Sequence, residues 1–171
     1  YSIVLRGDKG AGKSRLLFQI INAFAHKRFS VAFLCLEMAV GSSVTQRYKK
    51  EYITRTNVKK IDITDVPPTY QELNDICKKY DVVAIDSWTK LKGFTQQDFD
   101  KLQRENPQTI IICIFQSTTG KITRGGNMPE YDAGTVIQVN KGGLAECEKN
   151  RYTASNSIYN VFTKKFEQKE V

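Results

Sequence analysis

The sequence has no long apolar run, no low-complexity segment and no internal repeat. None of its apolar stretches approaches the roughly 20 residues that a membrane-spanning helix needs, so we expect no membrane partner. The first residues already have the character of a core strand, and we therefore expect no signal peptide. These absences favour a soluble globular protein.

The sequence also has no closely spaced pair of cysteines. Its four cysteines, Cys35, Cys77, Cys113 and Cys147, form no C-x-x-C motif. Cys35 and Cys113 lie within apolar, strand-like segments, which favours small buried side chains over disulfides or zinc ligands. This use of cysteine predicts a reducing, cytoplasmic location.

The sequence has fewer acidic than basic residues. The 171 residues carry 26 lysines and arginines against 18 acidic residues, a formal net charge of +8, which favours an anionic partner. The length predicts one domain. Basic residues form three groups, each of which is either a solvated surface or a contact for nucleic acid. The groups are Arg47, Lys49 and Lys50; Arg55, Lys59 and Lys60; and Lys164, Lys165 and Lys169.

One segment carries a specific chemical signal. Residues 7–14 read Gly-Asp-Lys-Gly-Ala-Gly-Lys-Ser, which satisfies the pattern G-x-x-x-x-G-K-[ST] directly after a strand-like run. A loop of this kind points backbone N–H groups at a polyphosphate, with Lys13 on the β/γ-phosphates and the Ser14 hydroxyl on Mg²⁺. The alternative is a glycine-rich turn that matches by chance. The predicted cofactor-binding residues are Gly7, Asp8, Lys9, Gly10, Ala11, Gly12, Lys13, Ser14 and Arg15.

Strand and helix signals alternate along the chain. This alternation predicts an α/β fold with a mostly parallel central sheet flanked by helices, and the last strands predict an antiparallel hairpin at its edge. Helices are expected from Lys13, over 42–55, and after two capping boxes that begin at Thr69 and Thr95. The predicted strands are 2–6, 31–36, 61–63, 81–86, 109–115, 135–140, 145–151 and 158–162.

Polar residues follow three of these strands. Because ligands of open α/β sheets bind beyond the carboxyl ends of the strands, Glu37, Asp86 and Gln116 are candidates for phosphate chemistry. We expect Asp86 to hold Mg²⁺, Glu37 to activate water and Gln116 to sense the γ-phosphate. Alternatively, the carboxylates cap a helix or pair with a lysine. Trp88 either stacks on a base or packs beside the sheet.

These residues resemble the RecA-like ATPase superfamily, in the branch that holds the RadA recombination ATPase and the DnaB-type helicases. Residues 36–38, Leu-Glu-Met, are similar to a strand ending of the helicases, and residues 85–87, Ile-Asp-Ser, to RadA. Residues 149–152, Lys-Asn-Arg-Tyr, are similar to the RadA signature Lys-Asn-Arg-Phe. The resemblance implies ATP and Mg²⁺ as cofactors, with metal bound by Ser14 and Asp86. The implied catalytic residues are Lys13, Glu37, Gln116, Lys149 and Arg151.

The pair Lys149 and Arg151 has a physical rationale of its own. Two residues apart on a strand, the side chains project to one face and deliver two positive charges to one anion. In the superfamily such a pair reaches the γ-phosphate of a neighbouring subunit, which implies self-association into a ring or filament. The alternative is a basic pair that protects an edge strand from aggregation.

Residues 117–129 form the longest predicted loop. Lys121 and Arg124 combine positive charge with a glycine-rich backbone, which suits contact with single-stranded DNA. An ordinary surface loop explains the composition as well.

We therefore predict a single RecA-like core over residues 1–171, either part of a longer protein or a minimal phage or bacterial version. Its expected activity is ATP hydrolysis at subunit interfaces, coupled to single-stranded DNA in recombination, repair or unwinding. A nucleotide-gated assembly or loader protein with slow or absent hydrolysis is the alternative, and a small-molecule kinase is a third possibility.

Overall fold

A computed structural model describes residues 1–115, 133–153 and 157–167. Within these residues nine strands form one sheet. The strands are β1 Ser2–Gly7, β2 Val31–Cys35, β3 Ile61–Thr64, β4 Val82–Asp86, β5 Ile110–Ile114, β6 Thr135–Asn140, β7 Leu144–Asn150, β8 Ile158–Asn160 and β9 Lys165–Glu167. Their order across the sheet is β3-β2-β4-β5-β1-β6-β7-β8-β9. The first six strands in this order pair parallel, and the strands from β6 to β9 pair antiparallel. The predicted mostly parallel sheet with antiparallel strands at one edge is confirmed.

In the described ranges, four α-helices cover the two faces of the parallel strands. They are α1 Lys13–His26, α2 Ser43–Tyr52, α3 Tyr70–Lys79 and α4 Gln96–Glu105. Helices α1 and α2 share one hydrophobic core with Ile3 and Leu5 of β1. Helices α3 and α4 share a second core with Val4. Because successive residues of a strand point to opposite faces, a strand covered on both sides has to be apolar throughout, as the sequence indicated.

The helix starts agree closely with the sequence. Helix α1 begins at Lys13, and the capping boxes of Thr69 with Glu72 and of Thr95 with Asp98 are both formed. Each box satisfies backbone N–H groups that the first helical turn leaves without partners. None of the helices in the described ranges is both long and apolar enough to cross a membrane.

The chain differs from the prediction after residue 157. The last strand was expected over 158–162, but β8 ends at Asn160 and a further strand follows at Lys165–Glu167. The Asn160 side chain is the cause, because its Oδ1 accepts hydrogen bonds from the N–H groups of Phe162 and Thr163, both at 3.1 Å. Asparagine commonly folds the chain into such a turn. Helix α2 is also shorter than the predicted 42–55.

Gly7 joins the sheet to the phosphate-binding loop. It is the last residue of β1, pairs with Val139 of β6 and has a φ of +138°. A Cβ at this position would lie 2.1 Å from the carbonyl oxygen of Val139, which is a backbone atom in the middle of the sheet. Only glycine lets these two strands stay paired up to the start of the loop.

We predict that Gly7→Ala lowers the free energy of unfolding by at least about 3 kcal/mol, because it combines a strained φ with a collision against backbone. Urea unfolding measures the effect. Gly41→Ala is the matched control, since no atom lies within 4 Å of its added Cβ, and it should change stability by less than about 0.5 kcal/mol. A Gly7→Ala protein as stable as the control would contradict the β1–β6 packing described here.

Candidate nucleotide site

A pocket of about 360 Å³ lies at the carboxyl ends of β1, β2 and β4. Its position follows from the parallel sheet, because parallel strands end at one edge and the loops that follow them meet there. The pocket brings the predicted loop together with both predicted carboxylates. It is lined by Gly7, Lys9, Gly10, Gly12, Lys13, Ser14, Arg15, Glu37, Tyr48, Asp86, Ile114 and Phe162.

Lys13 reaches over the loop that precedes it. Its Nζ donates to the carbonyl oxygens of Gly7 and Asp8, both at 2.8 Å. Partial burial lowers the pKa of Lys13 from its ordinary value, and the carboxylates of Asp86, Glu37 and Asp8 oppose that shift. The ammonium group is therefore placed among backbone carbonyls and carboxylates at the mouth of the loop.

Asp86 ends β4 and is only 1% exposed. Burial raises the pKa of its carboxyl to about 6, and the nearby Glu37 adds to the rise, whereas a hydrogen bond with Ser14 and the charge of Lys13 oppose it. Its Oδ2 is buried and finds no hydrogen-bond partner among the described residues. A buried carboxylate oxygen in that condition is costly unless a cation or donor completes it.

Glu37 lies next to Asp86 through the pairing of β2 with β4. The carbonyl oxygen of Asp86 accepts hydrogen bonds from the N–H groups of Leu36 at 2.7 Å and Glu37 at 2.9 Å. The Glu37 side chain is exposed at the edge of the pocket, and its Oε1 accepts a hydrogen bond from the buried Ser87 hydroxyl at 2.8 Å. Ser87 also shares a 3.0 Å hydrogen bond with Thr89. The carboxylate is thus both oriented and open to solvent.

The donor set near Asp86 fits Mg²⁺. Ser14 and Asp86 line the same pocket and offer a hydroxyl and a carboxylate, and the unpartnered Oδ2 of Asp86 supplies a free lone pair. No cluster of three or more histidine, cysteine or acidic side chains that could hold a metal occurs in residues 1–115, 133–153 or 157–167. Mg²⁺ needs no such cluster, because it usually takes one or two protein oxygens together with phosphate oxygens and water.

Sequence reasoning missed the aromatic wall of the pocket. Arg15 donates from Nε to the Tyr48 hydroxyl and from Nη1 to the Tyr52 hydroxyl, both at 3.2 Å, so it ties α1 to α2. Its guanidinium lies 5.1 Å from the ring centroid of Tyr48 and 5.2 Å from that of Phe162. Phe162 is distant in sequence and falls in a predicted strand, so no local pattern pointed to it.

Trp88 does not line the pocket. Its side chain is 5% exposed and packs against Phe94, Phe99 and Phe115, with ring centroids 5.1–6.2 Å apart. Its Nε1 donates to the carbonyl oxygen of Thr95 at 3.2 Å. Of the two expectations, packing beside the sheet is therefore confirmed, and stacking on a base is wrong because the ring is enclosed.

Lys149 and Arg151 lie away from this pocket. Lys149 pairs with Val136, which pairs with Val4, three residues before the loop begins at Gly7. Three residues of strand correspond to about 10 Å. Arg151 follows the end of β7 and lies further toward the opposite edge, where its N–H donates to the carbonyl oxygen of Gly134 at 3.0 Å. The structure thus separates this pair from the phosphate loop of its own chain.

Three further predicted residues lie outside the described residues. They are Gln116, Lys121 and Arg124. The described strand β5 ends at Ile114, and the structure therefore bears on neither the sensor nor the DNA-contacting role expected for these residues.

Similarity to known proteins was found in sequence and in structure. No protein-family model matches the sequence. The DNA repair protein RadA of Chlamydia muridarum is 32% identical over 84 residues, which span 49% of this chain and only 18% of RadA.

Solved structures match over far more of the chain. The flagellar accessory protein FlaH of Methanocaldococcus jannaschii has a TM-score of 0.68 at 18% identity, covering 93% of this chain and 84% of FlaH. A KaiC-like protein of Pyrococcus horikoshii OT3 has a TM-score of 0.68 at 17% identity, covering 92% and 84%. Together with the phosphate loop and the strand order, these similarities establish that the chain has the fold of the RecA-like P-loop ATPases.

Proposed function

We propose that this protein is a Mg²⁺-dependent ATPase that hydrolyses ATP at interfaces between subunits and couples the cycle to single-stranded DNA. The observation that carries the proposal is the placement of Glu37. Its exposed carboxylate is held by Ser87 at the edge of the pocket that Lys13, Ser14 and Asp86 line. Phosphoryl transfer needs a positioned water and charge stabilisation, and these residues supply both.

Each residue has a distinct role in this proposal. Lys13 binds the β/γ-phosphates, and Ser14 with Asp86 holds Mg²⁺, which when bound neutralises charge on the phosphates. Glu37 accepts a proton from the attacking water. Ser87 positions Glu37 through the 2.8 Å hydrogen bond to Oε1. Gln116, outside the described residues, remains our proposed sensor of the γ-phosphate.

The proposal of a shared site follows from the distance between the basic pair and the phosphate loop of the same chain. Lys149 and Arg151 lie toward the ends of the strands that point away from the phosphate loop. They therefore do not neutralise the phosphates bound by their own chain. A basic pair in trans would supply that charge from the next subunit of a ring or filament. We therefore propose self-association as a condition of turnover.

Single-stranded DNA is the proposed effector on two grounds. The chain carries a formal net charge of +8, more than a nucleotide site requires, and 49% of its length is similar to a DNA repair protein. Lys121 and Arg124 are the proposed contacts, because lysine and arginine neutralise backbone phosphates independently of base sequence.

The raised pKa of Asp86 makes the stability of the folded protein depend on pH. An aspartate in an unfolded chain ionises near pH 4, whereas burial raises the pKa of folded Asp86 to about 6. Between these values the unfolded state releases its proton first, so ionisation favours unfolding as the pH rises. In the metal-free protein, the ionised and buried Asp86 therefore lowers the free energy of unfolding.

The first prediction from the proposed function concerns catalysis. Glu37→Gln should lower the rate of ATP hydrolysis by about 10²- to 10⁴-fold, the usual contribution of a general base, and leave ATP affinity within about twofold. Phosphate release and calorimetric titration measure the two quantities. Glu51→Gln, at an exposed position of α2, is the control and should retain activity. A Glu37→Gln protein with normal turnover would overturn the assignment of the base.

The second prediction concerns pH. In EDTA, Asp86→Asn should become more stable than the parent protein as pH rises from 4 to 7, by about 2–3 kcal/mol in the free energy of unfolding. The control is Asp98→Asn, because hydrogen bonds from Thr95 lower the pKa of Asp98, so this variant should lose stability relative to the parent at pH 7 and regain it below pH 4. Equal pH profiles for both variants would contradict the burial of Asp86.

The third prediction concerns assembly. Lys13→Ala and Arg151→Ala should each abolish turnover, and an equal mixture should recover about a quarter of parental activity, since a quarter of randomly formed interfaces combine an intact loop with an intact arginine. Particle mass and ATP hydrolysis are measured together, with and without single-stranded DNA. Co-assembly without any recovery would show that Arg151 does not act in trans.

A further inference from the structure

Phe162 is an exposed aromatic ring in the wall of the phosphate pocket. It is 44% exposed, although large apolar side chains in this fold are mostly buried. Its ring carbons Cζ and Cε1 lie 3.6 and 3.7 Å from the position that a Cβ of Gly12 would take. The ring therefore adjoins the residue that directly precedes Lys13 and Ser14.

The chain holds Phe162 in this position by several backbone contacts. Val161 is fully buried, and its N–H donates to the carbonyl oxygen of Gly143 at 2.8 Å. Asn160 Oδ1 accepts from the N–H of Phe162, and the N–H of Lys164 donates to the carbonyl oxygen of Asn160 at 2.8 Å. The turn between β8 and β9 is thus closed by hydrogen bonds on both sides of the ring. An exposed aromatic on so well fixed a turn is a preformed surface.

The Arg15 side chain adds a positive charge to the pocket wall that Phe162 forms. The Arg15 guanidinium lies 5.2 Å from the ring centroid of Phe162 and is fixed by the hydroxyls of Tyr48 and Tyr52. Both Arg15 and Phe162 line the pocket whose floor is the phosphate loop. A flat apolar ring beside a planar cation suits the stacking of another flat, electron-rich ring.

We propose that Phe162 is the surface on which the nucleobase of a bound purine nucleoside triphosphate packs, with Arg15 as the cation beside it. This inference rests on the proposed nucleotide-binding function and adds the residue that recognises the base. The phosphates occupy the loop of residues 7–14, so the sugar and base extend to a neighbouring wall. Tyr48 and Phe162 are the aromatic side chains that line the pocket in the described part of the chain. The half-buried Tyr48 ring packs against Phe18, Tyr52 and the Arg15 guanidinium, which leaves Phe162 as the more open ring.

The test compares ligands that share phosphates and differ in the base. Calorimetric titration with ATP, CTP and inorganic tripolyphosphate, each with Mg²⁺, is carried out on the parent chain and on Phe162→Ala. Base stacking on an aromatic side chain predicts that Phe162→Ala weakens ATP binding about tenfold or more, weakens CTP binding less, and leaves tripolyphosphate binding within about twofold. Phe162→Trp, which keeps an aromatic ring at this position, should bind ATP with the affinity of the parent chain.

Phe166→Ala is the matched control. Phe166 belongs to the same β8–β9 hairpin, is 75% exposed and does not line the phosphate pocket, so its removal should leave the affinity for all three ligands unchanged. Equal weakening of ATP and tripolyphosphate by Phe162→Ala would overturn the proposal, since the ring would then support the loop rather than the base. Unchanged ATP affinity would overturn it as well.

The two proposals fail separately. If the parent chain binds ATP and discriminates it from tripolyphosphate through Phe162 but shows no turnover with single-stranded DNA, the base site is supported and the proposed ATPase function fails. If Glu37→Gln abolishes turnover as expected while Phe162→Ala binds ATP normally, the ATPase function is supported and the base site is overturned. Thermal unfolding of Phe162→Ala and Phe166→Ala confirms that both variants are folded.

Discussion

The backbone carbonyl of Asp86 is the point on which the site depends. It accepts hydrogen bonds from both Leu36 and Glu37, so the residue that ends β4 fixes the course of the chain that leaves β2. A single parallel pairing thereby sets two carboxylates side by side. The pairing of β1 with β6 through Gly7 does the same for the phosphate loop. The geometry of the site is therefore a property of strand register, and loops contribute to it only where strands have placed them.

Much of this was accessible from sequence because the signals were local. The short apolar runs of β2, β4 and β5 are typical of strands buried on both faces, and the capping boxes at Thr69 and Thr95 marked helix starts to the residue. The phosphate loop, Glu37 and Asp86 were found by the same means, since each directly follows an apolar run. Local signals are sufficient where a residue that lines the pocket directly follows a regular element.

The aromatic residues of the site have no local signal. Tyr48 and Tyr52 meet Arg15 across more than 30 residues of sequence, and Phe162 reaches the pocket from the last hairpin of the chain. Trp88 is the opposite case: it directly follows Asp86-Ser87, where a ligand contact and packing beside the sheet were both open, and its ring packs among other aromatics. In both cases tertiary packing decides which aromatic ring is exposed, and periodicity carries no information about that.

The burial of Trp88 also gives this protein a built-in optical label. It is the one tryptophan of the chain, so intrinsic fluorescence excited at the indole band comes from a single site. That site adjoins Ser87, whose hydroxyl holds Glu37, and its enclosure among aromatic rings keeps solvent from the indole. Emission from Trp88 consequently reports the environment behind the carboxyl end of β4, and it does so without any label attached to the chain.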